Sequence, residues 1–247
     1  MSLLLRETEA NFNTFDSDWR LDEAAVATQL AKERTQFLSS YRRIVSLQAW
    51  RVFLEPRISE SSLAFFLESQ NDALTSHVFA NLGSWRSSLK ALRSCIENVM
   101  FCLYYKDHSV ELKLWMNGKH KLPIADFITY FEQHPQRVTV AQVDSMPRIQ
   151  AEYSTLSKAV HASARGFRMT KDIKTTLLWS DSAASLGAWQ SRESAVLTSL
   201  NLLLLAHYHD ELLGSAESSL REAISLAIAA SLYPDIKSHL GVILREP

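Results

Sequence analysis

Two stretches of this 247-residue chain, 57–122 and 148–233, contain no proline. Six glycines and six prolines make up about 5% of the residues, against roughly 12% in an average domain. All-β and Rossmann-like architectures need many Gly/Pro turns and glycine-rich phosphate loops, so this scarcity argues against both. It predicts an all-α fold, a multi-helix bundle with long helices and short connections. At 47% apolar residues the chain can build a real core, which excludes wholesale disorder. With 26 basic and 27 acidic side chains it is neither a uniformly basic nucleic-acid coat nor the bearer of a long acidic tail.

Residues 1–15 read as a loose N-terminal arm and 16–247 as a single helical domain. A helical region runs from Asp16–Asp18 towards Leu54, with a possible break at Ser39–Ser40, and stops before Pro56. A second helix fits Glu60–Leu82, with Leu63, Phe66, Leu67, Leu74 and Val78 as its apolar side; Gly83 closes it and Ser84 caps the next. Trp85–Lys106 has the clearest pattern: Trp85, Leu89, Leu92, Ile96, Val99 and Leu103 alternate at steps of four and three, a packing seam that either pairs with a symmetry mate or buries within the monomer. Short helices follow at Val110–Met116 and Ile124–Gln133, and Arg137–Met146 reads as a loop, with a short strand as the alternative. Pro147 opens a helix over 148–165 with Ile149, Tyr153, Leu156 and Val160 buried, and Gly166 breaks it. Residues 167–187 are irregular. Helices then cover Trp189–Leu213, Ala216–Leu232 and Pro234–Val242.

Met1–Ala10 lacks the charge pattern of a secretory leader, and Val196–Ala206 is too short to span a bilayer. Cys95 and Cys102 lie two helical turns apart, roughly 10 Å by rise, too far for a disulfide. Reduced thiols and a cytoplasmic location are therefore expected. The motifs of P-loop NTPases, Rossmann dehydrogenases, α/β-hydrolases and zinc ribbons are all missing.

Three polar constellations stand out. Arg93 and Glu97 share one flank of the seam helix, with Arg86 and Tyr104 on the same side. Ser157, His161 and Arg165 form a polar rail at steps of four, in which His161 can act as acid or base and Arg165 can hold a phosphate. His207 and Glu211, four apart, can reach one metal, although three or four ligands are needed and no HExxH or Glu-x-x-His occurs; no metal or cofactor is expected. Charge is uneven: Arg86–Leu122 holds seven basic and three acidic residues, and Pro147–Lys174 six basic and two acidic. Arg86, Lys158, Arg165, Arg168 and Lys171 are the candidate contacts to nucleic acid.

The helix LKALRSCIENVMFCLYY (Leu89–Tyr105), followed by YSTLSKAVHAS (Tyr153–Ser163), resembles the all-helical HEPN-like proteins of bacteria, which include abortive-infection and phage-defence components. The resemblance covers about 30 residues. It implies a helical bundle that pairs as a dimer and, in catalytic members, metal-independent cleavage of RNA by an Arg and a His four to six residues apart. No His follows any Arg at that distance here. Any catalysis would need a composite site in which Arg93 binds phosphate, His161 moves a proton and Glu97 orients one of them, with Ser157 beside them. Three readings follow: a subunit of an anti-phage system that binds protein or nucleic acid, as a homodimer or within a defence complex and away from membranes; a variant HEPN ribonuclease; or an unrelated helical metal or small-molecule binder using His207 and Glu211.

Overall fold

The computed structural model describes residues 3–161, 167, 179–213 and 218–245. Among them the chain is helical, with no strand: α1 (Leu3–Leu30), α2 (Arg34–Leu54), α3 (Glu60–Asn81), α4 (Trp85–Asp107), α5 (Ser109–Met116), α6 (Ile124–Gln133), α7 (Met146–Val160), α8 (Ala183–Leu213), α9 (Ser218–Ser225) and α10 (Tyr233–Leu240).

Residues 3–15, expected as a loose arm, are helical. No proline or glycine precedes Pro56; the Thr8 and Thr14 hydroxyls bond back to the carbonyls of Leu4 and Ala10, and Asp16 pairs with Arg20 at 3.2 Å one turn on. The break falls at a 3-10 turn, Ala31–Glu33, not at Ser39–Ser40, which lie inside α2. Leu30 is the buried residue of α1; Leu4, Phe12, Phe15 and Leu21 are exposed.

Helix α4 is the core of the molecule. It packs most extensively on α3 and also meets α7 and α8. Its seam residues Leu92, Ile96, Val99 and Leu103 are wholly buried, each contributing roughly 1.5–3 kcal/mol. The seam is therefore consumed within one chain and is not open to a symmetry mate.

The face that α3 turns inward differs from the expected one. Leu63 and Phe66 are buried, but Leu67, Leu74 and Val78 are exposed. Ser62, Ser69, Ala73, Ser76 and Ala80 take the inward side. These small side chains admit α4 closely: the hydroxyls of Ser76 and Ser88 meet at 3.0 Å, and Trp189 of α8 donates its indole N–H to Ser76 Oγ at 3.0 Å. Gly83 (φ +68°) turns the chain between α3 and α4.

Helix α7 ends at Val160, and positions 162–165 of the expected helix lie outside the described residues; Arg86 of α4 satisfies its last carbonyls, donating from Nε to Ala159 O at 2.9 Å and from Nη2 to Val160 O at 3.0 Å. Helix α8 begins at Ala183, inside the stretch expected to be irregular, and carries a non-helical residue at Tyr208 (φ −129°, ψ 16°). The expected helix 216–232 is divided into α9 and a 3-10 turn, Ala230–Leu232.

Candidate functional site

The packing of α7 on α4 brings together Arg93, Glu97 and Ser157 without His161, and adds Tyr153. Arg93 pairs with Glu97 at 2.9 Å, one turn on. Across the helix boundary Arg93 Nε donates to Ser157 Oγ at 3.1 Å, and Nη2 donates to the Tyr153 hydroxyl at 2.5 Å. The Tyr153 hydroxyl donates to Glu97 Oε1 at 2.9 Å, and its ring lies 4.8 Å beneath the guanidinium carbon. Burial and the Glu97 carboxylate both push the Tyr153 phenol upward. The cluster is a charge-neutral clamp between two helices. A phosphate reaching Arg93 would have to displace Glu97 or Tyr153.

The other expected residues do not join it. His161 is exposed at the end of α7, and its ring has no hydrogen bond or ion pair among the described residues. Lys158 is exposed; Arg86 is committed to the end of α7. Arg165, Arg168 and Lys171 lie outside the described residues. His207 and Glu211 part company at the Tyr208 kink: His207 is buried and Glu211 exposed, so they do not face one ion. Among the described residues no group of three or more His, Cys, Asp or Glu could hold a metal. No described helix is long and apolar enough to cross a membrane.

The structure also builds a polar network that sequence reasoning missed. Glu193 of α8, 1% exposed, receives Arg43 Nε at 2.8 Å, Arg43 Nη2 at 2.5 Å and Ser40 Oγ at 3.0 Å. Ser40 also meets Nδ1 of His77 at 3.0 Å. His77 lines a groove of about 330 Å³ between α2 and α3 with Arg34, Phe37, Leu38, Tyr41 and Asn81. The partners lie some 150 positions apart, and no local motif announces them.

That groove is one end of a larger surface. On α2, Leu38, Tyr41, Val45 and Val52 face outward; beside them on α3 stand Leu67, Leu74 and Val78. Tyr41 (53%), Val52 (58%) and Val78 (53%) are exposed well beyond what a packed helix face allows. The spacings on α2 are those of a helix seam, and its side chains are exposed among the described residues. The pattern was in the sequence on α3, where it was assigned to the core.

No protein-family model, no curated protein and no solved structure matches this chain.

Proposed function

We propose that the chain is a helical binding subunit that docks another protein chain through the outward face of α2 and α3, in the manner the resemblance to phage-defence components implies. The observation that carries this reading is the continuous row of seven exposed apolar side chains on two adjacent helices. Contiguous apolar surface of this kind marks interaction sites on soluble proteins. The Arg93 clamp supports the same reading, since its guanidinium is spent inside the chain. The test is a photo-crosslinking side chain placed at Leu74 in cells that express the full chain, with one at Glu132 on α6 as control. A crosslinked product of defined mass at Leu74 and none at Glu132 is expected. No product at Leu74 would sink the reading.

One observation favours a second reading, a variant metal-independent ribonuclease: Arg93, Glu97 and Ser157 do converge across two helices, with His161 exposed one turn beyond Ser157. It requires that His161→Ala abolish RNA cleavage by a folded protein. RNA cut as fast by that variant as by the wild type excludes it.

A further inference from the structure

We infer that the occupant of the α2–α3 face is a second copy of this chain, related by a two-fold axis parallel to the helices, so that α2 of each copy lies on α3 of the other. The inference rests on the docking reading above.

Register is the first argument. Helices α2 and α3 run antiparallel, and two side-chain contacts fix their levels: Gln70 donates to Gln48, and His77 meets Ser40. At 1.5 Å per residue, Val52 then stands about level with Leu67, Val45 with Leu74, Leu38 and Tyr41 with Val78, and Gln48 with Asn71. A two-fold axis along the helices preserves these levels. Each apolar residue of α3 meets an apolar residue of the second copy's α2, and the one polar position, Asn71, meets Gln48. The face is complementary to itself, which an isologous contact requires.

Charge selects the same arrangement. The basic and acidic residues of α2 are Arg34, Arg42, Arg43 and Arg51, with no carboxylate; those of α3 are Glu60, Glu68 and Asp72, with no lysine or arginine. Stacking α2 on α3 lays the basic helix of each copy along the acidic helix of the other. The alternative two-fold axis, across the helices, stacks α2 on α2 and so sets basic helix against basic helix.

Area sets the strength. Two helices of about 30 Å by about 10 Å each offer roughly 600 Å² per copy. Stable interfaces bury about 800 Å² per partner, so the expected dimer is concentration-dependent, with a Kd on the order of micromolar.

Sedimentation of the full chain from 1 to 100 μM, concentrations of about the expected Kd and above, tests this. The mass is expected to rise from 28.0 kDa towards twice that value. Val45→Lys, at an exposed position, is expected to hold the chain at 28.0 kDa with an unchanged circular dichroism spectrum. Adding Leu74→Glu to the same chain is expected to restore association, because the new cation of one copy then meets the new anion of the other. A single 28.0 kDa species throughout, a dimer indifferent to Val45→Lys, or a double variant that stays monomeric would each overturn the inference. The two proposals fail separately: a Leu74 crosslink of a mass other than twice the chain removes the second copy and keeps docking, whereas no crosslink removes docking itself.

Discussion

The hydroxyl of Ser40 stands 3.0 Å from Nδ1 of His77 and 3.0 Å from Oε1 of Glu193, and so connects an imidazole at a surface groove to a carboxylate in the core. An ionised carboxylate only accepts, so Ser40 donates to Glu193 and His77 donates to Ser40. Burial pushes the Glu193 carboxyl up to about 7 against the opposing pull of Arg43. Removing one member of a buried pair leaves a charge without its partner, whereas replacing both with apolar groups is close to neutral. Arg43→Met is expected to lower stability by about 3 kcal/mol at pH 8. Its cost should be smaller at pH 5, where Glu193 takes up a proton and sheds its charge. Arg43→Met with Glu193→Leu should return most of the loss. Urea denaturation of both proteins decides this, and equal losses in single and double variants would contradict it.

Gly83 and Gly187 should respond oppositely to alanine. Gly83 has φ +68°, and a Cβ there would stand 2.4 Å from the Ser180 carbonyl oxygen. That oxygen is backbone, held by the Trp85 indole at 2.9 Å, and Ser180 N–H bonds back to Gly83 O at 3.1 Å. Gly187 lies inside α8 with open space around it. Gly83→Ala is expected to cost about 2–3 kcal/mol, and Gly187→Ala to stabilise by up to about 1 kcal/mol. Thermal unfolding of the two variants gives both signs.

The two glycines also show what was legible in the sequence. Helix α6 is found at its expected bounds, Ile124–Gln133, because Pro123 and His134–Pro135 are local signals. The α4 seam was readable because its large apolar residues all point one way. On α3 the same rule misled: the helix turns serine and alanine inward to admit α4, and its large apolar residues Leu67, Leu74 and Val78 outward. Periodicity finds a stripe but does not say which side is buried. Arg93, Glu97 and Ser157 are linked in the sequence only through the resemblance, which calls for a composite site across two helices; spacing alone places them on the flanks of separate helices. Arg43 and Glu193 are not linked at all, since only the tertiary fold makes them neighbours. The His207–Glu211 spacing failed because it assumed a straight helix through Tyr208.

Tyr153 bridges the two charges of the α4–α7 clamp, yet Arg93 and Glu97 also touch directly at 2.9 Å and are 24% and 22% exposed. Tyr153→Phe therefore removes hydrogen bonds without stranding an ion. The expected loss is about 1 kcal/mol. A loss of several kcal/mol in chemical denaturation would mean that the hydroxyl supports more than this contact.

His207 sets the response to acid. Its Nδ1–H donates to the Leu203 carbonyl at 2.9 Å, its ring lies 4.6 Å from that of His134, and its Nε2 is buried with no partner among the described residues. Burial pulls its pKa from 6.5 to about 4, and nearby His134 and Lys106 act in the same direction. The folded chain thus binds fewer protons than the unfolded chain between these values. Stability is fully present above pH 6.5 and is lost as pH falls towards 4, by about 3 kcal/mol for this residue at 1.36 kcal/mol per pKa unit. His77 and His134 are lowered by burial too, and add to the loss with the same sign. Urea denaturation at steps from pH 7 to pH 4.5 should show the decline, a range inside the reach of the His207 titration. His207→Gln keeps an N–H for Leu203 but cannot titrate, so its curve should be flatter by most of the His207 share. An unchanged slope would place the acid sensitivity elsewhere.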